Sequence, residues 1–154
     1  NPGLIDKFGG HAMAAGLALP PESFESFSEA FSGAIKKHLE GKKPIIELMT
    51  DGELEASEIT LKNAELLRSA SPWGQGFEEP IFYGDFELVD QKIVGEKHLK
   101  CTLKLNGASS IFEGIAFFQE RLNAKKVKVA YKLNVNSFRG NESLQLMIES
   151  IIIQ

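Results

Sequence analysis

The stretch Lys126–Asn136, KVKVAYKLNVN, alternates without a break. Val127, Val129, Tyr131, Leu133 and Val135 fall on one side of an extended chain, and Lys126, Lys128, Lys132, Asn134 and Asn136 on the other. Successive side chains of a strand point to opposite faces, so this pattern buries one face and wets the other. Lys97–Asn106 repeats it, with Leu99, Cys101, Leu103 and Leu105 inward and His98, Lys100, Thr102 and Lys104 outward. Phe82–Val94, Ser109–Phe117 and Glu142–Ile152 are three further candidate strands. Gly95-Glu96, Asn106-Gly107 and Arg139-Gly140-Asn141 carry turn chemistry between them. A short helical or irregular insert is expected near Gln119–Asn123. Five short strands with one apolar face bury it by closing on themselves, so residues 81–154 read as a small barrel. An OB-fold matches in strand number and size; an SH3-like barrel fits the same pattern.

Residues 1–70 alternate strand and helix instead, which makes the whole chain α+β. Met13–Leu19 is a short apolar run before Pro20-Pro21. Glu22–Leu39 reads as a helix, because Phe24, Phe27, Phe31, Ala34 and Ile35 recur at helical spacing. Acidic residues stand early and Lys36, Lys37 and His38 late, which suits the helix dipole; Gly41 stops it and Pro44 follows. Ile45–Leu54 reads as a strand. Thr60–Ser69 reads as a second helix with Thr60 as its cap. Between the two segments Ser71–Pro80, SPWGQGFEEP, packs two Pro, two Gly, a Trp and a Phe into one rigid turn. The expected division is a partial α/β domain over 1–70, a joint over 71–80 and a barrel over 81–154.

Net charge is −4, but it is unevenly spread. Residues 1–90 hold 7 Lys/Arg against 16 Asp/Glu, whereas residues 91–140 hold 10 against 3. A basic block of this kind is either a solvated sheet face or a footprint for a polyanion. No apolar run approaches the roughly 20 residues of a membrane span, so no membrane partner is expected. The start, NPGLIDKFGG, lacks a Met and the features of a signal peptide, which suggests a piece of a longer chain. A single cysteine, Cys101, excludes an internal disulfide framework and fits a reducing, cytoplasmic location. It falls on the apolar side of its strand and reads as core.

Metal and triad chemistry find little support. The three histidines, at 11, 38 and 98, are far apart, and no HxxxH or CxxC spacing occurs. Gly9-Gly10-His11 followed by Ala14-Ala15-Gly16 is more suggestive. Glycine lets a backbone N–H approach a phosphate oxygen, and a nearby imidazole can donate to one. Tight packing of the backbone against a neighbour explains the same residues equally well.

GGHAMAAG resembles the GGHxxAAG signature of the DHH-associated domain, the C-terminal half of DHH-family phosphoesterases. SPWGQGFEEP is similar to the joint that leads to an OB domain in the RecJ exonucleases, with Trp73 and Phe77 standing where that pattern has Phe and Asn. VGEKHLKCTL and VNSFRGNESLQLMIES resemble strands of that OB domain. The resemblance covers essentially the whole chain. It implies a partial DHH-associated domain followed by a five-stranded OB barrel, from an enzyme that degrades single-stranded DNA from the 5′ end in repair and recombination. It also implies Mn²⁺ or Mg²⁺ held by a DHH domain whose motifs this sequence lacks, so that the chain binds no metal and is inactive alone. By the same resemblance Gly9, Gly10, His11, Ala14, Ala15 and Gly16 form a phosphate-binding loop facing that metal centre, with His11 in a supporting role.

A single-strand binder needs phosphate neutralisation and stacking platforms. Lys97, His98, Lys100, Lys104, Lys126, Lys128, Lys132 and Arg139 are candidates for the first. Phe138 is the leading candidate for the second, ahead of Phe117, Phe118 and Tyr131. Two other readings stand beside this one: a module that docks single-strand-binding protein, and part of a small-nucleotide phosphodiesterase.

Overall fold

The computed structural model describes residues 3–42, 47–95 and 97–154. Pro44, the first two residues of the expected Ile45–Leu54 strand and Glu96 of the expected turn lie outside them. The chain divides into two compact units, residues 1–47 and 48–154.

In the first unit, β1 (Lys7–His11) and β2 (Ala14–Ala18) form an antiparallel hairpin that pairs Lys7 with Ala18 and His11 with Ala14. Gly9 and Gly10 are therefore strand residues and not a loop. Opposite residues of a pair share a face. Gly10 faces Ala15 so closely that an added Cβ would meet the Ala14 carbonyl oxygen and the Ala15 Cβ at 2.8 Å. Gly9, opposite Gly16, has open space where its Cβ would be. A 3₁₀ turn, Pro21–Ser23, leads into α1 (Phe24–His38), which ends on Lys36, Lys37 and His38 as its charge pattern predicts.

The second unit is built on β3 (Phe82–Val94), β4 (His98–Leu105), β5 (Ile111–Ala116), β6 (Lys126–Phe138) and β7 (Asn141–Ile153). They close in the order β3-β4-β5-β7-β6, with β5 and β7 parallel and the other pairs antiparallel. This is the closed five-stranded barrel expected of an OB-fold. The inward set is the one the alternation predicts. Leu99, Cys101, Leu103, Val127, Val129, Tyr131 and Leu133 are all buried, joined by Phe86 and Leu146. Arg139 and Gly140 both have positive φ, 52° and 81°, which is what a two-residue hairpin turn between right-twisted strands requires. The segment after β5 is irregular, as expected near Gln119–Asn123. Gln91 pins it to β3: its amide donates to the Leu122 carbonyl at 2.7 Å and accepts from the Leu122 N–H at 2.8 Å.

The boundary expected near residue 70 lies instead between Glu47 and Leu48. The reason is burial. Helix α2 (Leu61–Ala70) packs on β6, and Ile59 and Ala64 belong to the barrel core. Its cap is as predicted: the Thr60 hydroxyl accepts from the Asn63 N–H at 3.2 Å. The expected strand up to Leu54 is reduced among its described residues to one bridge, Glu53 to Tyr83. Residues 51–53 run beside the start of β3, where the Asp51 N–H donates to the Ile81 carbonyl at 2.7 Å. The turn at 71–80 is held by contacts of its own residues. Gly74 and Phe77 exchange both backbone hydrogen bonds, and Trp73 stacks on Phe77 at 5.0 Å while its indole N–H donates to the Leu67 carbonyl at 2.8 Å.

This packing has two measurable consequences. Burial pushes the Cys101 thiol up from 9.0 to about 11, against a smaller opposing pull from a backbone hydrogen bond at Gly114. The folded state thus favours the neutral thiol. The stability this group contributes is complete below pH 9 and is lost as pH rises through about 11. Thermal midpoints measured over that window should fall less for C101A than for the parent chain. In the hairpin, the clash at Gly10 is with backbone and cannot be relieved by a rotamer change. G10A should abolish the cross-strand NMR contacts between β1 and β2, whereas G9A should preserve them.

Candidate nucleic-acid interface

The six residues expected to bind phosphate do not share one surface. Gly9, His11, Ala14 and Gly16 lie on one face of the hairpin together with Lys7. Gly10 and Ala15 lie on the other, with Phe8 and Leu17. Gly10 is thus explained by packing within the hairpin, while the Gly9–Gly16 pair leaves its backbone approachable. His11 is exposed, and its Nδ1 accepts from the Met13 N–H at 3.2 Å, which directs Nε2 away from the turn. Among the described residues no group of three or more His, Cys, Asp or Glu side chains is placed to hold a metal ion. Magnesium and manganese prefer several oxygen ligands, so the described residues do not fit such an ion.

The basic residues of the barrel separate into four places. At one end of β4, His98 and Lys100 point outward beside Lys97, and Lys100 lies directly opposite Lys92 of β3. Lys100 also pairs with Glu113 at 2.7 Å. Further along, Lys104 and Lys126 both stand opposite Glu87, and Lys128 lies 3.8 Å from Asp85 and over the Tyr83 ring. Lys132 is held between Glu79 at 3.7 Å and Glu149 at 3.5 Å. Phe138 and Arg139 stand at the tip of the β6–β7 hairpin, where the guanidinium sits over the exposed ring at 5.2 Å. Lys100, Lys128 and Lys132 therefore have carboxylate partners already, although pairs this exposed contribute little.

Sequence reasoning missed Lys92. The β3–β4 register shifts at Val89, a bulge that exchanges inward and outward positions along the rest of β3. Strict alternation from Phe86 and Leu88 would have turned Lys92 inward, and no residue type at the bulge announces it. Arg121 was missed as well, because it lies in an irregular segment where periodicity carries no information. The same segment brings two aromatic rings to the basic end of β4. His98 is edge-on to Phe117 at 4.9 Å and to Phe118 at 5.1 Å, and its Nδ1 accepts from the Phe118 N–H at 3.2 Å. Tyr131, by contrast, is core: it is fully buried, with its ring against Phe86 and Phe82.

A family model described as the RecJ OB domain matches residues 50–150. The single-stranded-DNA-specific exonuclease RecJ of Dickeya dadantii (strain 3937) is 45% identical over 156 residues, covering 98% of this chain and 27% of the relative. That of Escherichia coli (strain K12) is 43% identical over 155 residues, covering 97% and 27%. The chain thus spans about a quarter of the length of these curated relatives. Two crystal structures of RecJ from Thermus thermophilus share its fold. The complex with Mg²⁺ has a TM-score of 0.53 at 22% identity, covering 96% of this chain and 23% of that one. The complex with Mn²⁺ has a TM-score of 0.56 at 23% identity, covering 98% and 22%. The match to the family model begins at residue 50, close to the boundary at 47/48 and well before the turn at 71–80. With more than half of its length in the family's barrel, the chain belongs to the RecJ family, and residues 50–150 are its OB domain.

Proposed function

We propose that this chain is the strand-holding C-terminal region of a RecJ-type exonuclease that degrades single-stranded DNA from the 5′ end in repair and recombination. The observation that carries the reading is the outward pair of Lys92 and Lys100 on the barrel of a RecJ OB domain. Like charges directly opposite on neighbouring strands repel; Glu113, 2.7 Å from Lys100, offsets part of that repulsion, and a bound polyanion relieves the remainder. His98 and Lys104 lie on the same face of β4 and Lys97 immediately precedes the strand, so a phosphate backbone following β4 meets several cations, with Thr102, opposite Asp90, between Lys100 and Lys104. Phosphodiester hydrolysis and its Mn²⁺ or Mg²⁺ belong to the rest of the enzyme, and this chain alone is inactive. The open hairpin face, Gly9, His11, Ala14 and Gly16, forms one wall of the catalytic cleft, where His11 donates to the substrate phosphate through Nε2.

Salt dependence tests the barrel's role. Anisotropy of a labelled oligothymidylate should show binding at low salt, with log K falling linearly with log salt. Each of K92A and K104A should reduce that slope by about 0.7, the value for one phosphate contact on a single strand. Failure to bind at low salt would sink the reading. In the full-length enzyme H11A should lower turnover, while the same change in this chain should leave oligonucleotide affinity unchanged.

A second reading is docking of single-strand-binding protein. The apolar surface of Ile93 and Phe118 beside Lys97 and Arg121 suits an acidic tail tipped by an aromatic residue. Competition between such a peptide and the oligonucleotide separates the two.

A further inference from the structure

Beside the basic end of β4 lies a cleft of about 300 Å³ lined by Ile93, Lys97, Phe118, Gln119, Glu120 and Arg121. Building on the single-strand reading above, we propose that this cleft is a nucleobase subsite, in which one base stacks on Phe118 while Lys97 and Arg121 meet the flanking phosphates.

Phe118 is 79% exposed, so it anchors no core. Its backbone has φ of 54°, a left-handed conformation that a bulky side chain adopts only when its surroundings hold it there. Those surroundings are identifiable. The Phe118 N–H is fixed by the His98 imidazole at 3.2 Å, whose ring also braces Phe117 and Phe118 edge-on. Four residues further on, the double hydrogen bond from Gln91 to Leu122 pins the other end of the segment. An exposed ring braced by His98, on a segment pinned again at Leu122, loses little freedom on binding, which is what a stacking platform requires.

The lining also discriminates between parts of a nucleotide. Glu120 within the cleft disfavours a phosphate there but not a neutral base. Phe138, the aromatic residue that the sequence favours for this role, is less suited, because Arg139 already covers one face of its ring.

The test compares labelled oligothymidylate with an abasic oligomer of the same length and charge. F118A should weaken oligothymidylate binding on the order of tenfold, as expected for loss of one stacked base, with the salt slope and abasic affinity unchanged. If the parent chain binds but F118A weakens neither oligomer, or both equally, the subsite is wrong and the phosphate-track reading stands. If the parent chain binds neither oligomer, both readings fall. F118W gives an independent readout should F118A fail to fold. Its emission should be quenched by oligothymidylate and not by the abasic oligomer; absence of quenching overturns the subsite. Quenching only by an acidic, aromatic-tipped peptide assigns the cleft to a protein partner and overturns it as well.

Discussion

Closure of five strands around one apolar interior is the constraint from which most other features descend. A barrel this small is filled by its own side chains. Tyr131 and Phe86 supply much of the filling, meeting edge-to-face at 5.8 Å with neither exposed. Closure also forces curvature, and two irregularities supply it: Val89 on β3 and Glu149 on β7 each have no partner in the ladder. Among the described residues the Tyr131 hydroxyl has no hydrogen-bond partner. Burial, reinforced by Glu53 and Glu58, pushes its pKa up to about 12, so the group stays neutral.

Apart from the Tyr131 hydroxyl, the polar side chains of the described residues lie toward the outside, and the outside is not uniform. The lysines of β6 meet carboxylates from the acidic part of the chain: Asp85 and Glu87 beside Lys128 and Lys126, and Glu79 beside Lys132. Those of the β3–β4 end meet one another and aromatic rings, with Glu113 paired to Lys100 and Glu120 in the cleft beside Lys97 and Arg121. A net charge of −4 conceals how unevenly the charges are spread along the chain.

The barrel was legible because period-two alternation is a property of each strand alone. Lys126–Asn136 and Lys97–Asn106 declare their inward faces without reference to neighbours, and Thr60 declares a helix start in the same local way. What was not legible depends on pairs of distant segments. Residues 48–70 join the barrel through burial of Ile59 and Ala64 against strands that come much later in sequence. The bulge at Val89 exists only relative to β4. The hairpin glycines look alike in sequence, yet Gly10 is required by Ala14 and Ala15 and Gly9 by nothing within the hairpin. Aromatic count could not rank Phe118 above Phe138, because that order rests on a left-handed backbone and a histidine contact.

The ladder has a mechanical side. The chain enters the barrel at the start of β3 and leaves it at the end of β7, and both strands pair antiparallel with β6. Phe82 opposes Tyr131, Ile153 opposes Val127, and the Gln154 N–H donates to the Lys126 carbonyl at 3.1 Å. Tension applied between the start of β3 and the end of β7 therefore runs along the strands and loads both ladders in shear. Peeling would break one hydrogen bond after another; shear must break many together. The barrel is strongest along this axis.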